Sequence, residues 1–138
     1  MARLPRAGDV ARKDVPTCSL EDRLGDVGDR AKNAGWDVCV VVNEERIVLG
    51  LLRAKELADD PDQTAEQAMR PGPSTFRPHV PIEEMAAHMV EHDLPSSPIT
   101  TLEGRLVGVL LREDAEREAH RLHEAMHAHH TAEEKRGG

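Results

Sequence analysis

Aromatic side chains are almost absent from this chain. Trp36 and Phe76 stand alone, tyrosine is missing, and aromatics make up 1% of 138 residues. That leaves little to stack bases on, which argues against single-strand nucleic-acid binding. A formal net charge of −8 removes the basic face that a polyanion needs. A small nucleotide is not excluded, since its phosphates need only a few local cations. Cysteine is scarce too. Cys18 and Cys39 form no CxxC pair and fall in apolar, strand-like runs, so both are expected to be small buried hydrophobes; a disulfide between them stays open. No apolar run approaches the roughly 18 residues of a membrane helix. The opening Met1 to Arg6 lacks the apolar stretch of a secretory signal, so a cytoplasmic protein is expected. GxSxG, HExxH and phosphate-loop motifs are missing, and no enzyme is expected.

What is present is a repeat. Arg46-Ile47-Val48-Leu49-Gly50-Leu51-Leu52 is echoed by Gly104-Arg105-Leu106-Val107-Gly108-Val109-Leu110 at an offset of 58 residues. The same offset pairs Arg12 with Arg70, Thr17 with Thr75, Glu45 with Glu103 and Leu52 with Leu110, without a gap. Two copies of one supersecondary unit imply a module with equivalent clefts where the copies meet. The core must come from Val, Leu, Ile, Ala and Met, and the length suits two half-domains sharing it.

Each copy reads in one order. Residues 7–12 enter as coil or a short helix, and Pro16-Thr17-Cys18 is a short strand. Ser19 is expected to cap a helix running to about Ala34, with Leu20, Leu24, Val27 and Ala31 at helical spacing and Gly35 ending it. Val38 to Val42 reads as a strand buried on both faces. Asn43 to Arg46 turns, Ile47 to Leu52 returns, and a helix follows from about Arg53 to Leu57. After a polar linker at Asp59-Asp60-Pro61-Asp62, the second copy brings a helix over Thr64 to Met69 and a loop at Arg70-Pro71-Gly72-Pro73. A short strand at Ser74-Thr75-Phe76 follows, then a helix with Pro81 in its first position. A hairpin (Pro95 to Thr100, Leu106 to Leu111) and a charged helix from Arg112 toward His129 complete it. The expected class is α/β (α+β), with two β-α-β-β-α units in a pseudo-symmetric module.

This order, twice at one offset, resembles a tandem pair of CBS domains, a Bateman module. Gly104 to Ala115, GRLVGVLLREDA, carries the clearer match, with Leu94 to Ile99 leading into it, and Val40 to Glu56 is a looser version. The resemblance divides the chain into 8–60, 66–124 and a His-rich tail, 125–138. It implies two repeats packed about a pseudo-twofold axis in a stand-alone regulatory module with no fused effector, forming a disc-like homodimer. Such a module takes AMP, ADP, ATP or S-adenosylmethionine between the copies and acts on a separate partner protein, with no resident cofactor.

The resemblance also implies site residues. The acid that holds the ribose diol matches Asp114 in the second copy and Glu56 in the first. The preceding Thr/Ser position is Leu111 and Arg53, so the hydroxyl is kept in neither. The adenine wall of the Asp114 cleft would come from Trp36, Asp37 and Val38, near Val10 and Ala11. That of the Glu56 cleft would come from Leu94, Pro95 and Ser96, near Ala68 and Met69. Phosphates would meet Arg12, Arg70, Arg53 or Arg112. Asp114 equally suits a plain first-turn acid, and Glu56 an exposed helix acid. A ligand-free association module with vestigial clefts is therefore the alternative. A third possibility is metal binding by His120, His123 and His127, with Glu124, His129 and His130 nearby. His88 and His92, preceded by His79, suit a surface or interface pair.

Overall fold

The computed structural model describes residues 4–137, with side chains as far as Ala125. Two copies of one strand–helix pattern are plain in it. The first comprises β1 (Thr17–Cys18), α2 (Leu24–Asn33), β2 (Cys39–Val42), β3 (Val48–Leu52) and α3 (Ala54–Leu57), preceded by α1 (Ala7–Val10). The second comprises α4 (Ala65–Ala68), β4 (Arg70–Pro71), α5 (Ile82–Glu91), β5 (Ser96–Thr100), β6 (Leu106–Leu111) and α6 (Arg112–Gly137). Among the described residues, no helix is long and apolar enough to cross a membrane.

The two hairpins match in detail. Val41 faces Gly50 across β2–β3, and Ile99 faces Gly108 across β5–β6, each register shifting just beyond. Left-handed backbone falls at Gly35 and Asp93 after α2 and α5, and at Arg46 and Gly104 in the two turns. Asn43 Oδ1 accepts from the amides of Glu45 and Ile47, while Thr101 Oγ1 accepts from that of Arg105 at the equivalent place. Three apolar clusters result. One lies between the first sheet and α2, one between the second sheet and α5, and one between the sheets, where Val38, Val40 and Leu51 meet Leu106 and Val109. The hairpin tips join as Val48 N–H donates to Gly104 O and Leu106 N–H to Arg46 O.

The entry segments are exchanged. Ala7 and Ala11 pack into the second copy's core with Ile82, Met85 and Met89, although they precede the first copy. Ala65, Ala68 and Met69 pack into the first copy's core. Backbone pairing follows the same exchange. Arg70 pairs with Leu51 of β3, and Arg12 exchanges both hydrogen bonds with Val109 of β6 (2.8 and 3.0 Å). This contact explains the repeated glycines. A Cβ at Gly108 would lie 2.6 Å from Arg12 O, and one at Gly50 would meet Met69 Sδ and lie 3.1 Å from Arg70 O. Only glycine admits another backbone so close.

Several local expectations change. Ser19 caps no helix: its N–H donates to Asp22 Oδ2 in a turn, and α2 starts at Leu24 after Arg23 bridges to Thr64. The expected loop at Arg70-Pro71 is the outer strand of the first sheet, an edge where a missing proline N–H is harmless. The expected strand at Ser74 to Phe76 shrinks to a single parallel bridge between Phe76 and Ile99, because Arg77 turns back to Thr75, Thr100 and Thr101. Pro81 flanks α5 rather than opening it, and α6 runs past His129 to Gly137. Cys18 and Cys39 are buried and free. The Cys39 thiol donates to Cys18, which lowers the Cys18 pKa and, together with burial, raises that of Cys39.

Two substitutions separate close approach from helix propensity. Gly108→Ala is expected to destabilise by about 1–3 kcal/mol, because the new methyl meets backbone that cannot move alone. Gly28→Ala, inside α2 with its nearest neighbour 3.6 Å away, is expected to stabilise by about 0.5–1 kcal/mol. Urea unfolding should show midpoints moving in opposite directions at unchanged slope.

Candidate functional site

The exchange carries the entry arginines to the acids that follow the return strands. Arg12, from the start of the chain, reaches Asp114 in the first turn of α6. Its Nε donates to Oδ2 at 2.8 Å and its Nη2 to Oδ1 at 3.1 Å. Arg117 stands 3.5 Å from the same carboxylate. The hydrogen bond and the charge of Asp114 raise the Arg12 pKa above its usual value. At the equivalent place in the first copy, Arg70 Nε lies 3.9 Å from Glu56 Oε1, beyond hydrogen-bond reach. Glu56 Oε1 accepts instead from the backbone amide of Arg53. Each pair joins one copy's entry to the other copy's helix, but one is a two-bond fork and the other a loose approach. Glu56 is 9% exposed, so the reading of it as an exposed helix acid is corrected: its side chain turns in to cap α3 beneath Arg70.

Two cavities lie where the copies meet. The larger, about 500 Å³, is lined by Asp37 and Val38 at the start of β2, Pro95 and Ser96 at the start of β5, and the residues that follow the two return strands. Those are Arg53, Ala54 and Lys55 after β3, and Leu111, Arg112, Glu113 and Glu116 after β6. The smaller, about 270 Å³, is lined by Arg70, Pro71, Pro73 and Ser74 of the second entry segment. Leu94, Ser96, Ser97 and Pro98 at the start of β5, with Leu51 and Arg53, close it. Arg53 and Ser96 thus belong to both. Arg53 Nε and Ser96 Oγ are buried, and neither has a hydrogen-bond partner among the described residues. Ser96 as a whole is 2% exposed.

Of the residues singled out in the sequence, Asp37, Val38, Arg53, Pro95, Ser96 and Arg112 are brought together on the larger cavity. Arg112 is already held by Asp93 at 2.9 Å and Glu116 at 3.6 Å. Trp36 is elsewhere: it packs on the cluster between the sheets with Val38 and Val109. Asp114 and Glu56 line neither of these two cavities. Lys55, Glu113, Ser74 and Ser97 line the cavities but were not singled out. Lys55, Glu113 and Ser97 each adjoin a singled-out residue, and that adjacency is the signal that points to them; Ser74, after the expected loop, carries no such signal. At the C-terminus, His120 Nε2 lies 3.2 Å from Glu124 one turn on. Side chains of His127, His129 and His130 lie outside the described residues, and among those described no three metal-capable groups converge. His88 stacks against His92 and edge-on to Phe76.

Comparisons with known proteins bear on this arrangement. The uncharacterized protein MK0525 of Methanopyrus kandleri is 25% identical over 115 residues, 78% of this chain and 59% of that protein. The chain therefore spans little more than half the length of that relative. Among solved structures, the cytosolic domain of the Mg2+ channel MgtE in complex with ATP superposes with a TM-score of 0.74 at 24% identity, covering 82% of this chain and 48% of that one. CBSX2 in complex with AMP superposes with a TM-score of 0.76 at 17% identity, covering 86% and 98%. The model of the CBS domain matches residues 7–62 and again 65–121, one match over each half of the exchanged architecture, so the chain belongs to the CBS domain family as a tandem pair.

Proposed function

We propose that this CBS pair is a non-enzymatic sensor that takes an adenosine-containing ligand such as AMP, ADP or ATP between its copies and regulates a separate protein. The observation that carries this reading is the pair of unpartnered polar atoms, Ser96 Oγ and Arg53 Nε, buried on the wall common to both cavities. A buried polar group without a partner costs about 1–3 kcal/mol, which a ligand's acceptors would relieve. Arg53 and Lys55, which form no ion pair among the described residues, supply positive charge for phosphates. Cavities of this size and mixed lining suit a small polar ligand. The solved relatives holding ATP and AMP support the ligand class by fold alone. In the same reading, two chains pair into a disc through their long helices, where Val90 of α5 is 56% exposed.

Isothermal titration with AMP, ATP, NADH and S-adenosylmethionine tests this. At least one is expected to bind below about 1 mM, some −4 kcal/mol. Arg53→Ala should weaken that binding by about five- to tenfold, equivalent to about 1 kcal/mol. Silence from all four ligands overturns the proposal.

A further inference from the structure

The two clefts that the repeat makes formally equivalent are not equally open. Every residue around the 270 Å³ cavity has a counterpart 58 positions away in the other copy. Leu94 on the open side corresponds to Trp36 on the other. Pro73 corresponds to Val15, Ser96 to Val38, Pro98 to Val40 and Arg53 to Leu111. Of these counterparts, Val38 and Leu111 border the larger cavity, while Trp36, Val15 and Val40 line neither of the two. Val15, Val38, Val40 and Val109 are buried in one cluster, with Trp36 and Leu111 packed onto it. Where one copy leaves serines and prolines around a space, the other has closed the space with valines and an indole.

The acids differ in the same sense. Asp114 has both oxygens engaged by the Arg12 fork, with Arg117 beside it. A ribose diol there would have to displace a charge-assisted, two-bond pair. Glu56 has one oxygen on the Arg53 amide, while its other oxygen accepts no hydrogen bond among the described residues. Arg70 stands off at 3.9 Å, on the wall of the open cavity.

Resting on the ligand class proposed above, we infer that the chain takes one nucleotide, not two. The base enters the smaller cavity, on the Glu56 side. The phosphates pass Arg53 into the larger cavity, toward Lys55 and Arg112. On the other side Trp36 takes the place of the base and Arg12 holds Asp114, which borders instead a separate hollow of about 330 Å³ with Pro5, Val10 and Arg117; the acid serves to hold the entry segment.

Titration of the full chain with AMP and with ATP, followed by both heat and Trp36 emission, tests this directly, since Trp36 is the one tryptophan. One equivalent per chain is expected, with Trp36 emission unchanged at saturation after correction for nucleotide absorbance. Leu94→Trp, which copies the closed side onto the open one, should weaken binding by at least about tenfold, or about 1.4 kcal/mol. Glu56→Gln is the second variant should Leu94→Trp fold poorly, and should also weaken binding. Asp114→Asn should keep its affinity within about twofold, under about 0.5 kcal/mol. Two equivalents per chain, a saturable change in Trp36 emission, or loss of binding in Asp114→Asn with Glu56→Gln unaffected would overturn the one-site inference while leaving the ligand class standing. No binding of either nucleotide, with NADH and S-adenosylmethionine also silent, overturns both.

Discussion

The close approach of two backbones at Gly50 and Gly108 organises this molecule. Each return strand accepts, on its outer edge, a segment that enters the other copy: Arg70 beside Leu51, Arg12 beside Val109. No side chain fits between them at the glycines. The exchange has two consequences. It ties each copy's entry helix into the other's core, so that Ala7 and Ala65 are fully buried in the copy opposite the one they lead into. It also fixes where the two arginines emerge, Arg12 within hydrogen-bond reach of Asp114 and Arg70 3.9 Å from Glu56.

That placement puts structure and recognition in competition for the same carboxylates. A buried acid is tolerable when paired, and an arginine fork is a strong partner because two parallel hydrogen bonds add geometry to charge. The Arg12 side chain is 45% exposed while that of Asp114 is 9% exposed, so water screens only part of their attraction. A neutral diol brings hydrogen bonds without charge and competes poorly with such a fork. At Glu56 the extra methylene lets the carboxylate fold back onto the Arg53 amide, and the arginine is left outside hydrogen-bond distance. One added carbon thus changes which partner the acid prefers.

Much of this architecture is legible in the sequence because the repeat supplies each element twice. Glycines, turn residues and apolar strands at one offset settle both hairpins, though not the left-handed backbone that the turns take at Arg46 and Gly104. Features that depend on contact between distant segments are not legible. Local rules place residues 7–12 with the strand that follows them, whereas Ala7 and Ala11 are held by α5 and β6. Ser19 has the chemistry of a helix cap, but Asp22 uses it to close a turn. Arg70-Pro71 has the composition of a loop and becomes a strand because β3 offers it an edge. In the site, the sequence points to the acids by family pattern, while the arginines that occupy them and the burial of Glu56 emerge only when the entry segments cross.

A duplicated unit has two copies of every cleft, but its two halves meet different demands. Filling one cleft with Trp36, Val15 and Val38 converts accessible wall into core, and burying each large apolar side chain contributes about 1.5–3 kcal/mol. In a chain with only two aromatic residues, an indole is the largest single contribution available. Doing the same on the other side would bury Arg53 and Ser96 still further without partners, a cost the polar lining cannot avoid. The polar side therefore stays open, and the apolar side carries the stability that an open cleft forgoes.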